Sequence, residues 1–211
     1  MNLSDYTILQ AFWIVIWIMM PAYLANTIAV LTGGKYPIDQ GKNYSDGNRI
    51  LGDGKTWSGL IGGTIGGIVI GYLQLNYGDS LIEILIDAKE IAFWGEKPII
   101  IFFLLSFGAL FGDMTASFYK RRKNLDRGAK YPLLDMYDFI AMSLLLTLIF
   151  GESWLQTWIL DGYMPLFTLL IATPILHRGV NIIGFKIGVK NEPWYSICFS
   201  QILKFFTYLM K

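Results

Sequence analysis

The chain has 211 residues, of which 54% are hydrophobic and 16% are charged, and its formal net charge at pH 7 is +1. Soluble globular domains carry about 25% charged residues, so this chain has too little polar surface for a water-soluble protein and is predicted to lie in a bilayer. Its near-neutral charge excludes the broad basic surface of a nucleic-acid-binding protein, and its single cysteine excludes a disulfide framework and a Cys-based structural zinc site.

Five apolar segments are long enough to cross the hydrocarbon core as helices, which takes about 20 residues each. In chain order they are residues 8–31, 57–77, 99–119, 133–150 and 164–185. Residues 194–211 mix aromatic side chains with Gln201, Lys204 and Lys211, a composition typical of an amphipathic helix at the membrane interface. We therefore predict an all-α membrane protein, with a bundle of five transmembrane helices in one domain, residues 1–193, followed by an amphipathic extension, residues 194–211.

The basic residues indicate how the bundle is oriented, because short cytoplasmic loops accumulate Lys and Arg. Segments 1–7, 78–98 and 151–163 hold two basic residues, whereas the other connections and the carboxyl-terminal tail, counted together with Arg178 near the end of the fifth span, hold fifteen. This asymmetry predicts a multi-pass protein of the cell membrane, with its amino terminus outside and its carboxyl terminus in the cytosol.

Glycines recur every four residues in the second span, at Gly59, Gly63, Gly67 and Gly71. They form a ridge without side chains on one helix face, which lets another backbone approach closely. We interpret the ridge as a helix-packing surface, with a direct role in ligand binding as the alternative.

The polar side chains of the spans gather at the predicted cytosolic ends, and charge inside a membrane is usually functional. Asp113 and Ser117 share a face of the third span. Asp135 and Asp138 share a face in the first turn of the fourth span. The other members of this group are Asn26 in the first span and His177, Arg178 and Asn181 in the fifth.

Asp113, Asp135 and Asp138 are predicted to hold Mg²⁺. Carboxylates at one depth repel one another unless a cation lies among them, and an all-oxygen site without His or Cys favours a hard ion. Two alternatives stay open. Asp113 could form an ion pair with a neighbouring Lys or Arg, and the other two carboxylates could simply favour the dipole at the start of their helix.

Basic residues follow the third span. Lys120 and Arg121 lie nearest to the carboxylates and are predicted to contact phosphate. The remaining basic residues of this connection are interpreted as topology signals; they are Arg122, Lys123, Arg127 and Lys130.

The first loop, residues 33–56, is rich in glycine and ends in Lys55 and Thr56. These two residues lead directly into the second span, where the amides of a helix start attract phosphate. Residues 54–56 (GKT) imitate the end of a Walker A motif, but Arg49 stands where that motif requires glycine. We predict a phosphate-binding loop, with a flexible linker as the alternative.

Hard-metal carboxylates, basic groups and a Gly-rich loop at one membrane face are typical of phosphoryl or nucleotidyl transfer between a water-soluble donor and a lipid acceptor. A CDP-alcohol phosphotransferase is an alternative, although its Asp-Gly-x-x-Ala-Arg motif is only partly matched by residues 46–49 (DGNR). A non-enzymatic ion or metal transporter is a second alternative, but transporters usually place charge near the bilayer midplane and contain an internal repeat, and no repeat is visible here.

Several motifs together resemble the CDP-archaeol synthase family. They are residues 21–26 (PAYLAN), 37–39 (PID), 46–57 (DGNRILGDGKTW), 112–113 (GD), 132–138 (PLLDMYD) and 177–181 (HRGVN), with Ser117, Lys120 and Arg121 between them. The resemblance extends to about Trp194, and the long first-loop motif is specific. The carboxyl half is also similar to bacterial CDP-diacylglycerol synthases, but the Lys-Asp pair of their signature is replaced around residues 124–127.

The resemblance implies a membrane enzyme of archaeal ether-lipid synthesis. Such an enzyme transfers CMP from CTP to an isoprenoid ether lipid phosphate, 2,3-di-O-geranylgeranylglyceryl phosphate, and releases pyrophosphate with Mg²⁺ as cofactor. The resemblance implies a catalytic centre of Asp113, Asp135, Asp138 and Lys120, in which the three aspartates bind the metal. The nucleotide would be bound by Asn26, Lys55, Thr56, Ser117, Lys120 and Arg121. The lipid phosphate would be bound by Arg49, Arg178 and Asn181, while Asp39 and Asp46 would order the first loop or read the nucleotide. The oligomeric state stays open.

Overall fold

The computed structural model describes residues 6–86, 92–126, 129 and 131–186, and the regular secondary structure of that part is entirely helical. The elements are α1 (Ile8–Leu31), α2 (Trp57–Tyr77), α3 (Asp79–Ile86), α4 (Pro98–Arg122), α5 (Pro132–Phe150), α6 (Glu152–Leu155), a π-helical segment (Gln156–Leu160) and α7 (Met164–Lys186). The chain divides into two compact units, Met1–Pro174 and Ile175–Lys211. The predicted interfacial helix at 194–211, and with it the proposed boundary after residue 193, lies outside the described residues.

Four helices, α1, α2, α4 and α5, are long and apolar enough to cross a membrane. The first two have the bounds that the sequence predicts, and α4 extends beyond its predicted bounds at both ends. The fifth predicted span is less regular, because α7 passes the same test only together with Glu152–Leu160, from which it is bent by 82°. The prediction of an all-α membrane protein is confirmed, with four spans, or five if the bent pair crosses as one.

The ends of these helices follow from local chemistry. Thr7 and Gln10 form a capping box at the start of α1, and the Thr56 side chain caps α2 by accepting the N–H of Gly59 at 3.2 Å. A proline, Pro98 or Pro132, stands in the first turn of α4 and of α5, where its missing N–H costs nothing. These four helices therefore begin at positions that the sequence itself specifies.

The glycine ridge of α2 packs between α1 and α4. A Cβ atom added at Gly63 would lie 2.7 Å from the carbonyl oxygen of Ala25 in α1 and 2.9 Å from Cδ1 of Leu110 in α4. One added at Gly67 would lie 2.9 Å from the carbonyl oxygen of Pro21. Only a hydrogen fits at these positions, so the ridge is the helix-packing surface that the sequence predicts.

A second close helix contact joins α4 to α5. A Cβ atom added at Gly108 would lie 2.6 Å from Cα of Ser143, and one added at Gly112 would lie 2.8 Å from Cα of Phe139. The Ser143 hydroxyl donates to the carbonyl oxygen of Leu105 at 2.8 Å and ties the two backbones together. This contact places the turn that carries Asp113 directly against the turn that carries Asp138.

The opposite end of the bundle is closed by aromatic side chains. The rings of Trp94 and Trp154 stack with centroids 6.2 Å apart, and Trp154 Nε1 donates to the carbonyl oxygen of Phe93 at 2.7 Å. The sequence treats residues 78–98 and 151–163 only as connections, so the two short helices α3 and α6 and the π-helical segment are additional features of the structure.

Candidate active site

The loop between α1 and α2 is organised around the buried carboxylate of Asp39. Its Oδ2 accepts the N–H groups of Leu51 at 3.0 Å and Gly52 at 2.9 Å, and its Oδ1 accepts that of Gly41 at 3.2 Å. Arg49 donates to both oxygens, at 2.8 and 3.2 Å. Burial raises the pKa of Asp39, but the hydrogen bonds from Arg49 and from the backbone outweigh burial and hold the pKa well below its ordinary value. Asp39 therefore orders the loop.

Arg49 is engaged inside the same loop. Its Nη2 donates to Asp53 Oδ1 at 2.8 Å as well as to Asp39. The hydrogen bonds to Asp39 and then to Asp53 raise the pKa of the Arg49 guanidinium above its ordinary value. The structure gives Arg49 a loop-forming contact, and its assignment to the lipid phosphate stays a prediction.

The loop is docked on the end of α4. Arg122 donates to the carbonyl oxygen of Arg49 at 2.6 Å, and Asn48 Nδ2 donates to Asn124 Oδ1 at 2.7 Å. The backbone N–H of Asn48 and the charge of Arg122 lower the pKa of Asp46, whose Oδ2 lies 3.1 Å from Arg122 Nε. The interpretation of Arg122 as a topology signal missed this contact.

Lys55, at the end of the loop, reaches across to α4. Its Nζ donates to Asp113 Oδ2, which is the ion pair left open as an alternative for Asp113. The two side chains line a cleft of ≈ 80 Å³ together with Asn26 of α1. The Asn26 Oδ1 is buried there and has no hydrogen-bond partner within the described part of the chain. Three predicted site residues from three different elements thus meet at one cleft.

A second lysine pairs with a carboxylate of α5. Lys120 Nζ donates to Asp135 Oδ1 at 2.7 Å, and the backbone N–H of Tyr131 donates to Asp135 Oδ2 at 2.9 Å. Asp138 Oδ1 accepts the backbone N–H of Phe139 at 2.6 Å. Each carboxylate therefore has a donor already, and two of the donors are the lysines predicted to contact the nucleotide.

Arg121 and Ser117 lie on α4, the helix that also carries Asp113 and Lys120. Arg121 borders the loop, because a Cβ atom added at Gly52 would lie 3.5 Å from its Nε. Ser117 is half-buried, one turn beyond Asp113. The Thr56 hydroxyl accepts the N–H of Gly34 at 3.3 Å in addition to capping α2, so its contact with nucleotide stays a prediction beside an observed structural role.

The chemistry of this donor set suits Mg²⁺, because it consists of carboxylate and amide oxygens without His or Cys. As the side chains stand, no three His, Cys, Asp or Glu residues in the described ranges lie close enough together to hold a metal ion. The ammonium groups of Lys55 and Lys120 take the place of a cation beside Asp113 and Asp135. The assignment of Mg²⁺ to the three carboxylates stays a prediction.

Two predicted residues belong to the second compact unit, which is described by itself. Arg178 is exposed on α7. The backbone of Asn181 is part of the same helix, but its side chain lies outside the described residues. Their assignment to the lipid phosphate stays a prediction.

The similarity to known proteins extends over all of the site residues described above. A family model described as "CarS-like: CDP-archaeol synthase" matches residues 8–194. The chain is similar to the CDP-archaeol synthase of Methanospirillum hungatei, with 45% identity over 177 residues that cover 83% of this chain and 100% of the relative. The corresponding protein of Methanosphaerula palustris is 44% identical over 178 residues, with the same coverage of both chains.

A solved structure is also similar. It is described as that of an intramembrane enzyme for archaeal membrane lipids biosynthesis, and it is 35% identical to this chain with a TM-score of 0.59. The match covers 79% of this chain and 92% of the other. The family match, the full coverage of the relatives and this structural likeness agree with one another, and the chain belongs to the CDP-archaeol synthase family.

Proposed function

We propose that this chain is a CTP-dependent cytidylyltransferase that transfers CMP from CTP to 2,3-di-O-geranylgeranylglyceryl phosphate and releases pyrophosphate. The observation that carries the proposal is the pairing of Lys55 with Asp113 and of Lys120 with Asp135 at one end of an apolar bundle. Cations that hold phosphate and carboxylates that hold a hard metal are the groups this transfer requires. Relatives named for the same activity match over their full length.

The chemistry needs positioning more than proton transfer. An oxygen of the lipid phosphate forms a bond to the α-phosphorus of CTP, and the bond from that phosphorus to the oxygen shared with the β-phosphorus breaks. A phosphate monoester has a second pKa of about 6, so the attacking oxygen is already ionised near neutral pH and needs no general base. Lys55, Lys120 and Arg121 would hold the triphosphate, with Ser117 and Thr56 as neighbouring hydroxyl donors.

Asp113, Asp135 and Asp138 are the residues that would hold Mg²⁺, with the unpartnered Oδ1 of Asn26 as a further oxygen. A bound Mg²⁺ supplies charge neutralisation between phosphate oxygens. In this proposal Lys55 and Lys120 leave their carboxylates when the nucleotide arrives and donate to its phosphates. Each lysine ammonium group would thus pair first with an aspartate and then with a phosphate of the nucleotide.

The same proposal gives the enzyme an orientation. The end that carries the α1–α2 loop would face the cytosol, where CTP is available, and the lipid chains would stay in the bilayer beside the helices. Arg178 and Asn181 are assigned to the lipid phosphate, and Arg49 supports the loop through Asp39. The isoprenoid ether lipid phosphate and CTP would be the substrates, with no nucleic acid involved.

The test is pyrophosphate release by purified protein in detergent with CTP, Mg²⁺ and the lipid phosphate. Asp135→Asn should abolish release. Because the exchange also breaks the largely buried pair with Lys120, it should lower the temperature of thermal unfolding, and release is therefore measured at a temperature at which the variant is folded. Glu152→Gln, an acidic side chain in the first turn of α6 at the other end, is the matched control and should retain turnover. Robust turnover by Asp135→Asn would remove the metal assignment, and a product that requires CDP-lipid and a free alcohol would favour the phosphotransferase.

A further inference from the structure

The guanidinium of Arg122, at the end of α4, is joined to the loop between α1 and α2. Its Nη2 donates to the carbonyl oxygens of Arg49 at 2.6 Å and Asn48 at 3.3 Å. Its Nε lies 3.1 Å from Asp46 Oδ2. Arg122 therefore contacts the loop through two backbone groups and one carboxylate within four consecutive residues of sequence.

Two aromatic rings enclose the same guanidinium. Its carbon Cζ lies 4.7 Å from the ring centroid of Tyr44 in the loop and 4.8 Å from that of Phe118 in α4. The two rings meet edge to face, with centroids 5.6 Å apart. A planar guanidinium stacks on aromatic faces and donates in a fixed fork, which a lysine ammonium cannot reproduce.

This contact lies a few residues before Lys55 in the chain. Gly52, beside Arg121, offers its carbonyl oxygen to the N–H of Lys55 at 3.2 Å, and Lys55 then reaches Asp113. Residues 48–52 thus contact the backbone of Lys55 through Gly52, and the N–H of Ile38 donates to the Lys55 carbonyl oxygen at 2.8 Å from the other arm of the loop. The docked residues 48–52 are therefore connected to Lys55 by a backbone hydrogen bond as well as by the chain itself.

We propose that Arg122 is a positioning residue, which holds the α1–α2 loop on α4 so that Lys55 is placed for the triphosphate of CTP. The proposal rests on the proposed function for the identity of that substrate. The docking itself follows from the contacts of Arg122 with the loop and with the two rings.

Steady-state rates of pyrophosphate release for Arg122→Gln, measured against CTP and against the lipid phosphate separately, provide the first test. Displacing a binding group by about 1 Å can cost 10²-fold in rate, so kcat/KM for CTP should fall by about 10²-fold, with a higher KM for CTP and an unchanged KM for the lipid. Lys123→Gln is the matched control, because Lys123 carries the same charge but lies 5.6 Å over the ring of Tyr119. A loss of active protein alone would lower kcat and move neither KM, and that result would overturn the proposal.

Covalent rescue separates docking from other effects. In a Cys198→Ser background, Asn48→Cys and Asn124→Cys replace two side chains that are hydrogen-bonded to each other at 2.7 Å, and a short bifunctional thiol reagent can join them. Joining should restore the KM for CTP in Arg122→Gln, and failure to restore it would count against docking as the cause. Arg122→Lys, which keeps the charge, should stay impaired; full activity in that variant would equally overturn the proposal.

Hydrogen exchange of residues 48–55 gives a result that does not depend on activity. It should be at least about tenfold faster in Arg122→Gln than in the unmodified protein, because weakened docking raises the fraction of open loop. Unchanged exchange would refute the docking. If the unmodified protein releases no pyrophosphate, the proposed function fails while the exchange measurement still decides the role of Arg122 in the loop.

Discussion

Replacing Asp39 by asparagine tests the claim that one buried carboxylate organises the α1–α2 loop. Asparagine keeps the size and shape of the side chain but puts an N–H₂ donor where one carboxylate oxygen was. All of the neighbours described for Asp39 are donors: the Arg49 guanidinium and the N–H groups of Gly41, Leu51 and Gly52. In the variant the new N–H₂ group therefore faces other N–H groups, with which it cannot form hydrogen bonds.

The size of the effect can be worked out from the contacts of each oxygen. If the asparagine nitrogen takes the place of Oδ1, hydrogen bonds from Arg49 Nη2 and Gly41 are lost, and if it takes the place of Oδ2, those from Arg49 Nε, Leu51 and Gly52 are lost. Hydrogen bonds to a charged group contribute about 1.5–3 kcal/mol each, and breaking a buried ion pair costs about 3–5 kcal/mol. The Asp39 side chain is fully buried, so we expect the loop to lose about 3–5 kcal/mol of local stability.

Hydrogen exchange at the amides of Leu51 and Gly52 is the assay, since a loss of about 3 kcal/mol corresponds to roughly 10²-fold faster exchange by local opening. Asp53→Asn is the matched control. It removes a carboxylate from the same arginine, but the Asp53 side chain is 67% exposed, and exposed ion pairs contribute about 0–1 kcal/mol. Protection of Leu51 and Gly52 in Asp39→Asn equal to that in Asp53→Asn would refute the reasoning.

The remaining predictions concern pH, helix packing and the lysine. Because the folded pKa of Asp39 lies below its ordinary value, the stabilisation it provides is complete above about pH 5 and is lost as the pH falls below about 4 toward the folded pKa. The hydrogen-exchange rates of the unmodified protein and of Asp39→Asn should therefore become equal only in that acid range. Gly63→Ala should lower the stability of the bundle by about 1–3 kcal/mol in thermal unfolding, because backbone and Cβ atoms of α1 surround the site, and Gly66→Ala, which meets only the Ile28 side chain, should cost less. Lys55→Met should reduce kcat/KM for CTP by about 10²-fold or more while leaving the KM for lipid unchanged; an equal change in both KM values would contradict its assignment to the triphosphate.

The apolar pattern of the sequence predicts much of the fold. The bounds of α1 and α2 follow from apolar runs that begin after Thr7 and Thr56, and the every-fourth glycines of α2 predict a close helix contact before any partner is known. The meeting of Asp113 with Lys55 was foreseen only as an alternative, because spacing along one helix does not reveal which residue of a distant loop lies opposite.

The role of Arg122 could not be separated from that of Lys123 by sequence alone. Phe118 precedes Arg122 by four residues, and Tyr119 precedes Lys123 by the same spacing, so both basic residues can lie over an aromatic ring of their own helix. What distinguishes them is the path of the α1–α2 loop, which brings Tyr44 to the Arg122 side of α4. That path depends on Asp39, whose burial is a tertiary property.

The aromatic end of the bundle, around Trp94 and Trp154, could not be predicted from the sequence for a similar reason. The rings of Trp94 and Trp154 stack although the whole of α4 and α5 separates them in sequence. Short helices such as α6 have too few residues for a periodic pattern to appear. Their existence therefore follows from packing between distant segments.

The pairing of Lys55 with Asp113 and of Lys120 with Asp135 also bears on how the polypeptide is made. Inserting an unpaired aspartate into a bilayer costs free energy, and that cost is lower when a lysine of the same polypeptide pairs with it. Lys120 and Asp135 emerge during synthesis within one short stretch at the junction of α4 and α5. The carboxylates of Asp113 and Asp135 then have a counter-charge in the bundle before any metal ion or nucleotide is bound.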